Sequence, residues 1–229
     1  MSSPAPRRPA VRLGPGPELV IPPILLAVFA AQVFLWPQMG LAHALSGQAI
    51  AAGRWHVLFS HMFLHGGLIH LLMNLMAFTA LATPVRLALG RGAAGVGGFL
   101  VLFLLSGLAG GLAFLALNPA GEIPAVGASG AICGLWGLAA RVGTVEGELT
   151  PLASRQVGTN LLSFGLMNLV LVALVSGPQL LLTGETRGGI AWEAHVGGFL
   201  VGLLLAVPFQ RITGWRPPPP PGPWGPRFA

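Results

Sequence analysis

The chain alternates long apolar runs with short connections rich in proline, glycine and arginine. Six runs stand out: Leu19–Trp36, Leu68–Val85, Gly95–Leu117, Gly127–Ala140, Leu161–Val175 and Ile190–Phe209. A helix crossing about 30 Å of hydrocarbon needs about 20 apolar residues. The pattern therefore predicts an all-α membrane protein, a bundle of six transmembrane helices. The fourth and fifth runs are short for a crossing, which predicts recessed or tilted ends. Residues 37–67 form the longest connection. It is moderately apolar, with Trp55, Phe59 and Phe63, and is expected to lie in the membrane interface. Residues 1–18 are rich in Pro and Arg and are expected to be disordered. Residues 19–210 form the helical domain. Residues 211–229 make a tail whose five consecutive prolines, from Pro217 to Pro221, favour polyproline II. The first run contains Pro22-Pro23 and leads into further spans, so it reads as a retained helix rather than a cleaved signal.

Composition narrows the picture. Of the 229 residues, 54% are hydrophobic and 8% charged, against about 25% charged in soluble domains. The net charge of +6 does not point to nucleic acid, because all twelve cations are Arg and no basic run exceeds two residues. They read as anchors flanking membrane spans. Arg7, Arg8, Arg12, Arg86, Arg91, Arg141, Arg155, Arg211, Arg216 and Arg227 fall on one side, and only Arg54 and Arg187 on the other. That asymmetry places both termini in the cytoplasm and the 37–67 connection outside. Heavy use of Ala, Gly, Arg and Pro without Lys or Tyr suggests a GC-rich bacterial source, and so a bacterial inner membrane. The single cysteine, Cys133, excludes an internal disulfide and a Cys-rich metal site. No Asp is present, so a Ser-His-Asp triad cannot form within the chain. No internal repeat is visible, which weakens an inverted-repeat transporter reading.

Three polar clusters interrupt the apolar runs. His70 and Asn74 are four residues apart and share one helical face. Ser129 opens the fourth run within Gly127-Ala128-Ser129-Gly130. His195 lies near the start of the sixth, within Ala194-His195-Val196-Gly197-Gly198. Runs two, four and six all descend from outside to inside, ending at Arg86, Arg141 and Arg211. At 1.5 Å per residue, His70 stands about 24 Å, Ser129 about 18 Å and His195 about 24 Å above those anchors. All three heights fall in the outer half of the bilayer.

Each group suits acyl transfer. Ser129 is a weak nucleophile until a base takes its proton, and His195 is the natural base. The Asn74 amide, His70 and the backbone N–H of Ser129 can donate to an oxyanion. Glycine supplies the packing: Gly127, Gly130, Gly134 and Gly137 thin the fourth run, and Gly198 and Gly202 form a small-residue stripe on the face of His195. Docking that stripe on the fourth helix would bring His195 towards Ser129. Blander readings exist for each part. A GASG sequence in a Gly-rich helix is more often packing than catalysis. His195 alone also suits a proton relay, a ligand site or a helix-to-helix hydrogen bond. His70 and Asn74 can tie two helices together. His56, His61 and His65 have no carboxylate or Cys nearby, so they read as solvated interfacial groups rather than a metal cluster. Glu193 is two residues from His195 and reads as a helix-start group, and Cys133 as core.

Taken together, these residues resemble the rhomboid family of intramembrane serine proteases. The resemblance rests on Gly53-Arg54-Trp55, His61-Met62-Phe63-Leu64-His65-Gly66-Gly67, His70-x-x-x-Asn74, Gly127-Ala128-Ser129-Gly130 and Ala194-His195-x-x-Gly198-x-x-x-Gly202, in the family's order from Gly53 to Gly202. It implies a Ser–His dyad without an acid, with Ser129 as nucleophile and His195 as general base. His70, Asn74 and the Ser129 amide would form the oxyanion hole. The first connection would lie sideways in the membrane, the loop Ser176–Gly189 would cap the site, and the fifth helix would gate lateral entry. Substrates would be membrane-spanning proteins, cut in or near a span. No cofactor or metal is implied. One departure is Cys133, where some relatives carry an aromatic residue packing against the histidine; here Trp136 or Phe199 would take that part. The rival readings are a non-catalytic relative that binds membrane clients, and a solute transporter using His70 and His195 as a relay.

Overall fold

The computed structural model describes residues 16–90, 92–119, 121, 123–143, 148–183 and 189–214. Most of the stretch expected to be disordered (1–15), most of the proline-rich tail (215–229) and residues 184–188 lie outside the described residues. Among the described residues the protein is helical and contains no strand. A short 3₁₀ turn, with Pro17 at its start, leads into α1 (Ile21–Ala30), which ends in a π turn over Ala31–Leu35. Three short helices follow in the first connection: α2 (Met39–His43), α3 (Gly47–Ala51) and α4 (Val57–Ser60). Then come α5 (Leu68–Leu89), α6 (Ala93–Leu117), α7 (Ser129–Ala139), α8 (Arg155–Thr183) and α9 (Trp192–Ile212).

Four of these, α5, α6, α8 and α9, are long and apolar enough to cross a membrane. Ile21–Leu35 and Ser129–Ala139 are apolar but shorter. Large apolar side chains such as Phe34, Ile69, Met76, Leu162, Leu169 and Leu174 point outward. An outer belt of this kind suits lipid rather than water. The protein is an integral, multi-pass membrane protein.

The short helix α7 sits at the centre, packed between α5, α6 and α9. Glycine makes this possible. A Cβ on Gly198 would collide with the Gly130 carbonyl, one on Gly202 with the Gly134 carbonyl, and one on Gly137 with the Phe199 carbonyl. A Cβ on Gly110 of α6 would meet the Ala194 carbonyl at 2.5 Å. Backbones in lipid gain from such close approach through van der Waals contact and Cα–H···O=C interactions. Below this seam lies an apolar core that includes Phe78, Phe99 and Phe103, whose rings meet edge to face.

Two arginines read as loop anchors are instead inside the fold. Arg86 is fully buried in the last turn of α5, which runs on to Leu89. Arg141 follows α7 and donates from Nε to the Thr150 carbonyl (3.0 Å) and from Nη1 to the Leu203 carbonyl (3.4 Å). Its guanidinium thus ties the segment after α7 to the middle of α9. The fifth run also differs from expectation. Helix α8 starts six residues before Leu161 and continues through Ser176, Gly177 and Pro178 to Thr183. Most of the segment read as a capping loop is therefore helical. Pro178 is compatible because its fixed φ is helical, at the loss of one backbone bond.

The first connection folds against α6 and α7. Ser46 caps α3, its Oγ accepting from the Ala49 amide at 3.1 Å. Leu45 pairs with Ala125 as an isolated antiparallel bridge, and Met62 fills the space beside Gly107. His56 is exposed, in line with the solvated reading, but His61 and His65 are 5% and 3% exposed. Gly107 and Gly111 leave room on α6 for Met62 and His61 to pack inward, and His65 packs edge-on against the His70 ring, with centroids 5.2 Å apart. Burial lowers the His61 imidazole, partly offset by its Nδ1 bond to the Val57 carbonyl at 2.8 Å. Burial, and next the neighbouring His70, push His65 down to about 4.

Two predictions follow from these contacts. Gly198→Val and Gly202→Val should each prevent recovery of monodisperse protein in detergent, because backbone carbonyls occupy the space their side chains need. Gly158→Val and Gly165→Val, with nothing within 4 Å of a Cβ, should elute like the wild type. The second concerns pH. A free imidazole near 6.5 binds a proton more readily than His65 does in the fold at about 4. Stability is therefore full above pH 6.5 and is lost as pH falls through that window towards 4. The melting temperature in detergent should drop over this range, and less steeply in His65→Leu; an unchanged slope would assign the loss to another group.

Candidate active site

The site begins with a turn. Gly127 has φ +125°, a conformation that favours glycine, and its N–H donates to the His61 carbonyl at 2.9 Å. This turn ends the connection from α6 and starts α7 at Ser129. Ser129 therefore occupies the first turn of a helix, where backbone N–H groups lack intrahelical partners. The missing Gly127 side chain also matters. A Cβ there would lie 2.8 Å from His70 Nε2 and 3.8 Å from Ser129 Oγ. The open space between these two groups exists because residue 127 is glycine.

The α7–α9 seam brings the second group in. His195 lies in the first turn of α9, one turn above Gly198, and its Nε2 is 2.8 Å from Ser129 Oγ. The pair spans 66 positions in sequence. His195 is 5% exposed.

From α5, His70 faces Gly127, and Asn74 lies one turn further along the same helix. His70 Nδ1 accepts from the Gly66 amide at 3.3 Å. A neutral ring bound in this way carries its proton on Nε2, the nitrogen that faces Gly127. The Asn74 amide, buried at 4% exposure, donates from Nδ2 to the His70 carbonyl at 2.9 Å. Asn74 thereby ties down the backbone of His70 and keeps one further N–H.

Beside Ser129 is a small cavity of about 20 Å³, lined by His61, Gly127, Ser129, Gly130 and Ala194 among others. This is room for about one water molecule. Among the described residues, no group of three His, Cys, Asp or Glu side chains is placed to hold a metal. Glu193, in the first turn of α9, accepts from Asn118 Nδ2 at 3.1 Å. It acts at the helix start, where a carboxylate is favourable.

Cys133 is buried one turn into α7, in a cluster with Phe164, Phe199 and Trp136. Phe164 and Phe199 stack with centroids 4.1 Å apart, and the Trp136 ring stands edge-on to both. The aromatic bulk missing at 133 is thus supplied one turn below His195, by Phe199 with a partner from α8. One contributor was not read from the sequence. Asn168 of α8 is 8% exposed, and its Oδ1 lies 2.6 Å from His195 Nδ1. A signal for it existed: Gln156, Asn160, Phe164 and Asn168 recur every four residues, marking one face of an otherwise apolar helix.

Comparison with known proteins identifies the family. The family profile for the Rhomboid domain matches residues 52–212, well over half of the chain. The chain is similar to rhomboid protease GluP of Bacillus subtilis, with 30% identity over 167 residues, 73% of this chain and 29% of that protein. It is similar to rhomboid protease GlpG of Pectobacterium atrosepticum, with 34% identity over 166 residues, 72% of this chain and 51% of that one. It also matches RHOMBOID-like protein 5 of Arabidopsis thaliana, with 31% identity over 170 residues, 74% of this chain and 48% of the other. The chain thus spans about half the length of two of these relatives and less than a third of the other. The matched residues hold all five helices and connections that build the site, and the chain belongs to the rhomboid family.

Proposed function

We propose that this chain is an intramembrane serine endopeptidase that cuts membrane-spanning proteins in or near their span. The observation that carries the reading is the 2.8 Å contact between Ser129 Oγ and His195 Nε2. It lies at the outer ends of α7 and α9, within the apolar part of the chain. A general base at hydrogen-bond distance from a hydroxyl is the geometry nucleophilic acyl transfer requires.

In this mechanism Ser129 Oγ attacks the peptide carbonyl carbon as its proton passes to His195 Nε2. The oxyanion forms in the space left open by Gly127. There the Ser129 backbone N–H, His70 Nε2–H and the second N–H of the Asn74 amide are the donors, and Asn74 also holds the His70 backbone through its carbonyl. The intermediate collapses as His195 returns the proton to the leaving amine, leaving an acyl ester on Ser129. A water beside Ser129, for which the small cavity has room, then attacks the ester with His195 as base. Glu193 takes no part, since its carboxylate faces Asn118. No step needs a metal or cofactor.

The membrane setting completes the reading. The four long helices, with α1 and α7, make six membrane-embedded elements of a six-helix bundle. Arg-rich connections face the cytoplasm of a bacterial inner membrane, and the site opens to the outer side. The partners are transmembrane substrates and the bilayer itself. Helix α8 is the route for lateral entry, because its Leu162, Leu166, Leu169 and Leu174 face outward and it packs mainly through one stripe.

Labelling of detergent-purified protein by a fluorophosphonate, read by intact mass, tests the assignment. Wild type should gain one adduct, while Ser129→Ala and His195→Ala should gain none and keep the wild-type melting temperature. Absence of an adduct in folded wild type, with a cleavable transmembrane substrate also intact, would favour a non-catalytic client binder. Asn74→Ala should retain residual cleavage, slower by about 10²- to 10³-fold, the usual loss for one oxyanion donor. A kcat equal to wild type would remove Asn74 from the oxyanion machinery.

A further inference from the structure

We propose that Asn168 is the positioning residue of His195, completing a Ser–His–Asn relay in which an amide takes the place of an acid. The proposal rests on the protease reading above. It begins with the hydrogen-bond chain Phe164 carbonyl, Asn168 amide, His195 imidazole, Ser129 hydroxyl, whose links measure 2.9, 2.6 and 2.8 Å.

The chain has only one self-consistent direction. The Phe164 carbonyl can only accept, so Asn168 must present Nδ2 to it. Flipping the amide would set Oδ1 against that carbonyl, two acceptors face to face. With Nδ2 committed, Oδ1 faces His195 Nδ1 and also can only accept. His195 Nδ1 must therefore carry the ring proton. Neutral imidazole has one N–H, so Nε2 is bare and points at Ser129. This is the tautomer a general base needs. The opposite tautomer would place two lone pairs 2.6 Å apart and would donate to Ser129 rather than accept from it.

The same bond helps when charge develops. Once Nε2 takes the serine proton, the ring is cationic and Nδ1–H···Oδ1 becomes charge-assisted and stronger. A neutral amide does this without placing a permanent charge in a buried, low-dielectric site, where an ion carries a large desolvation penalty. The chain has no Asp, and its nearest acid in sequence, Glu193, is turned towards Asn118. The location is also consistent: Asn168 and His195 are both buried, on facing helices α8 and α9. An unrelated polar residue on a lipid-facing helix would have no reason to find the one imidazole nitrogen left unused by Ser129.

The test uses full-length protein in detergent, with selectively ¹⁵N-labelled histidine and a fluorophosphonate. In wild type at pH 8 the His195 signals, assigned by their loss in His195→Ala, should show Nδ1 protonated and Nε2 bare. Asn168→Leu, similar in size, should give a mixture of tautomers and label Ser129 about tenfold more slowly, the scale of one lost hydrogen bond. Asn160→Leu removes another tie of α8, the 3.2 Å bond from Trp136 Nε1, about 12 Å further down the helix. It should leave tautomer and labelling rate as in wild type. A protonated Nε2 in the wild type overturns the proposal even if Asn168→Leu fails to fold. So does wild-type labelling by Asn168→Leu, or an equal loss in Asn160→Leu, which would mark general docking of α8. In these cases labelled wild type leaves the protease reading standing. A wild type that does not label at all removes that reading, and this one with it.

Discussion

The close approach of α7 and α9 is the constraint on which the rest depends. The carbonyls of Gly130 and Gly134 stand where side chains of Gly198 and Gly202 would be. Two helices this near cannot slide or rotate independently, because every shift meets backbone. Ser129 is one residue above the seam on α7, and His195 one turn above it on α9. Their 2.8 Å separation is therefore set by main-chain contact rather than by the side chains themselves. In hydrocarbon, where apolar burial gives little drive for helix association, such contact is also the main source of cohesion.

Polar groups at this depth are expensive unless paired, and the pairing is economical. His70 is held by the Gly66 amide, Asn74 by the His70 carbonyl, and His195 by Ser129 and Asn168. Each backbone group used lies in a turn or on the residue's own helix. The site thus satisfies its side chains without introducing any ionised partner. The one carboxylate nearby in sequence, Glu193, stays at the helix start, where it meets Asn118 and the positive end of the helix dipole.

Much of this was legible in the sequence, for a physical reason. Ser129, His70, Asn74 and His195 are polar residues inside apolar runs, and glycines at four-residue spacing announce which helices approach. What could not be read depends on neighbours. His61 looks like an interfacial residue until Gly111 opens α6 to receive it, and His65 until His70 packs against its ring. Arg86 looks like an anchor because hydropathy does not register the depth of a helix end. Asn168 looks like one polar residue in a long apolar helix. Its partner is 27 positions away, and only the packing of α8 on α9 reveals the pair. The helical course of Ser176–Thr183 was hidden by a Ser-Gly-Pro sequence that normally signals a turn.

The placement of Asn168 has a mechanical consequence. Helix α8 presents mostly exposed apolar side chains, and its inner contacts are concentrated along Gln156, Asn160, Phe164 and Asn168. The first three contact Ala140, Val142, Trp136 and Phe199, and among these four residues Asn168 alone reaches His195. A displacement of the upper part of α8 that pivots on the Phe164–Phe199 stack would break the Asn168–His195 bond before any of the others. On the proposed reading, the helix by which a substrate would enter is also the helix that would orient the base. With α8 displaced, His195 loses the acceptor that keeps its proton on Nδ1. With α8 docked, Nε2 is bare and faces Ser129. On the proposed protease reading, the nucleophile would stay unprepared until α8 docks again.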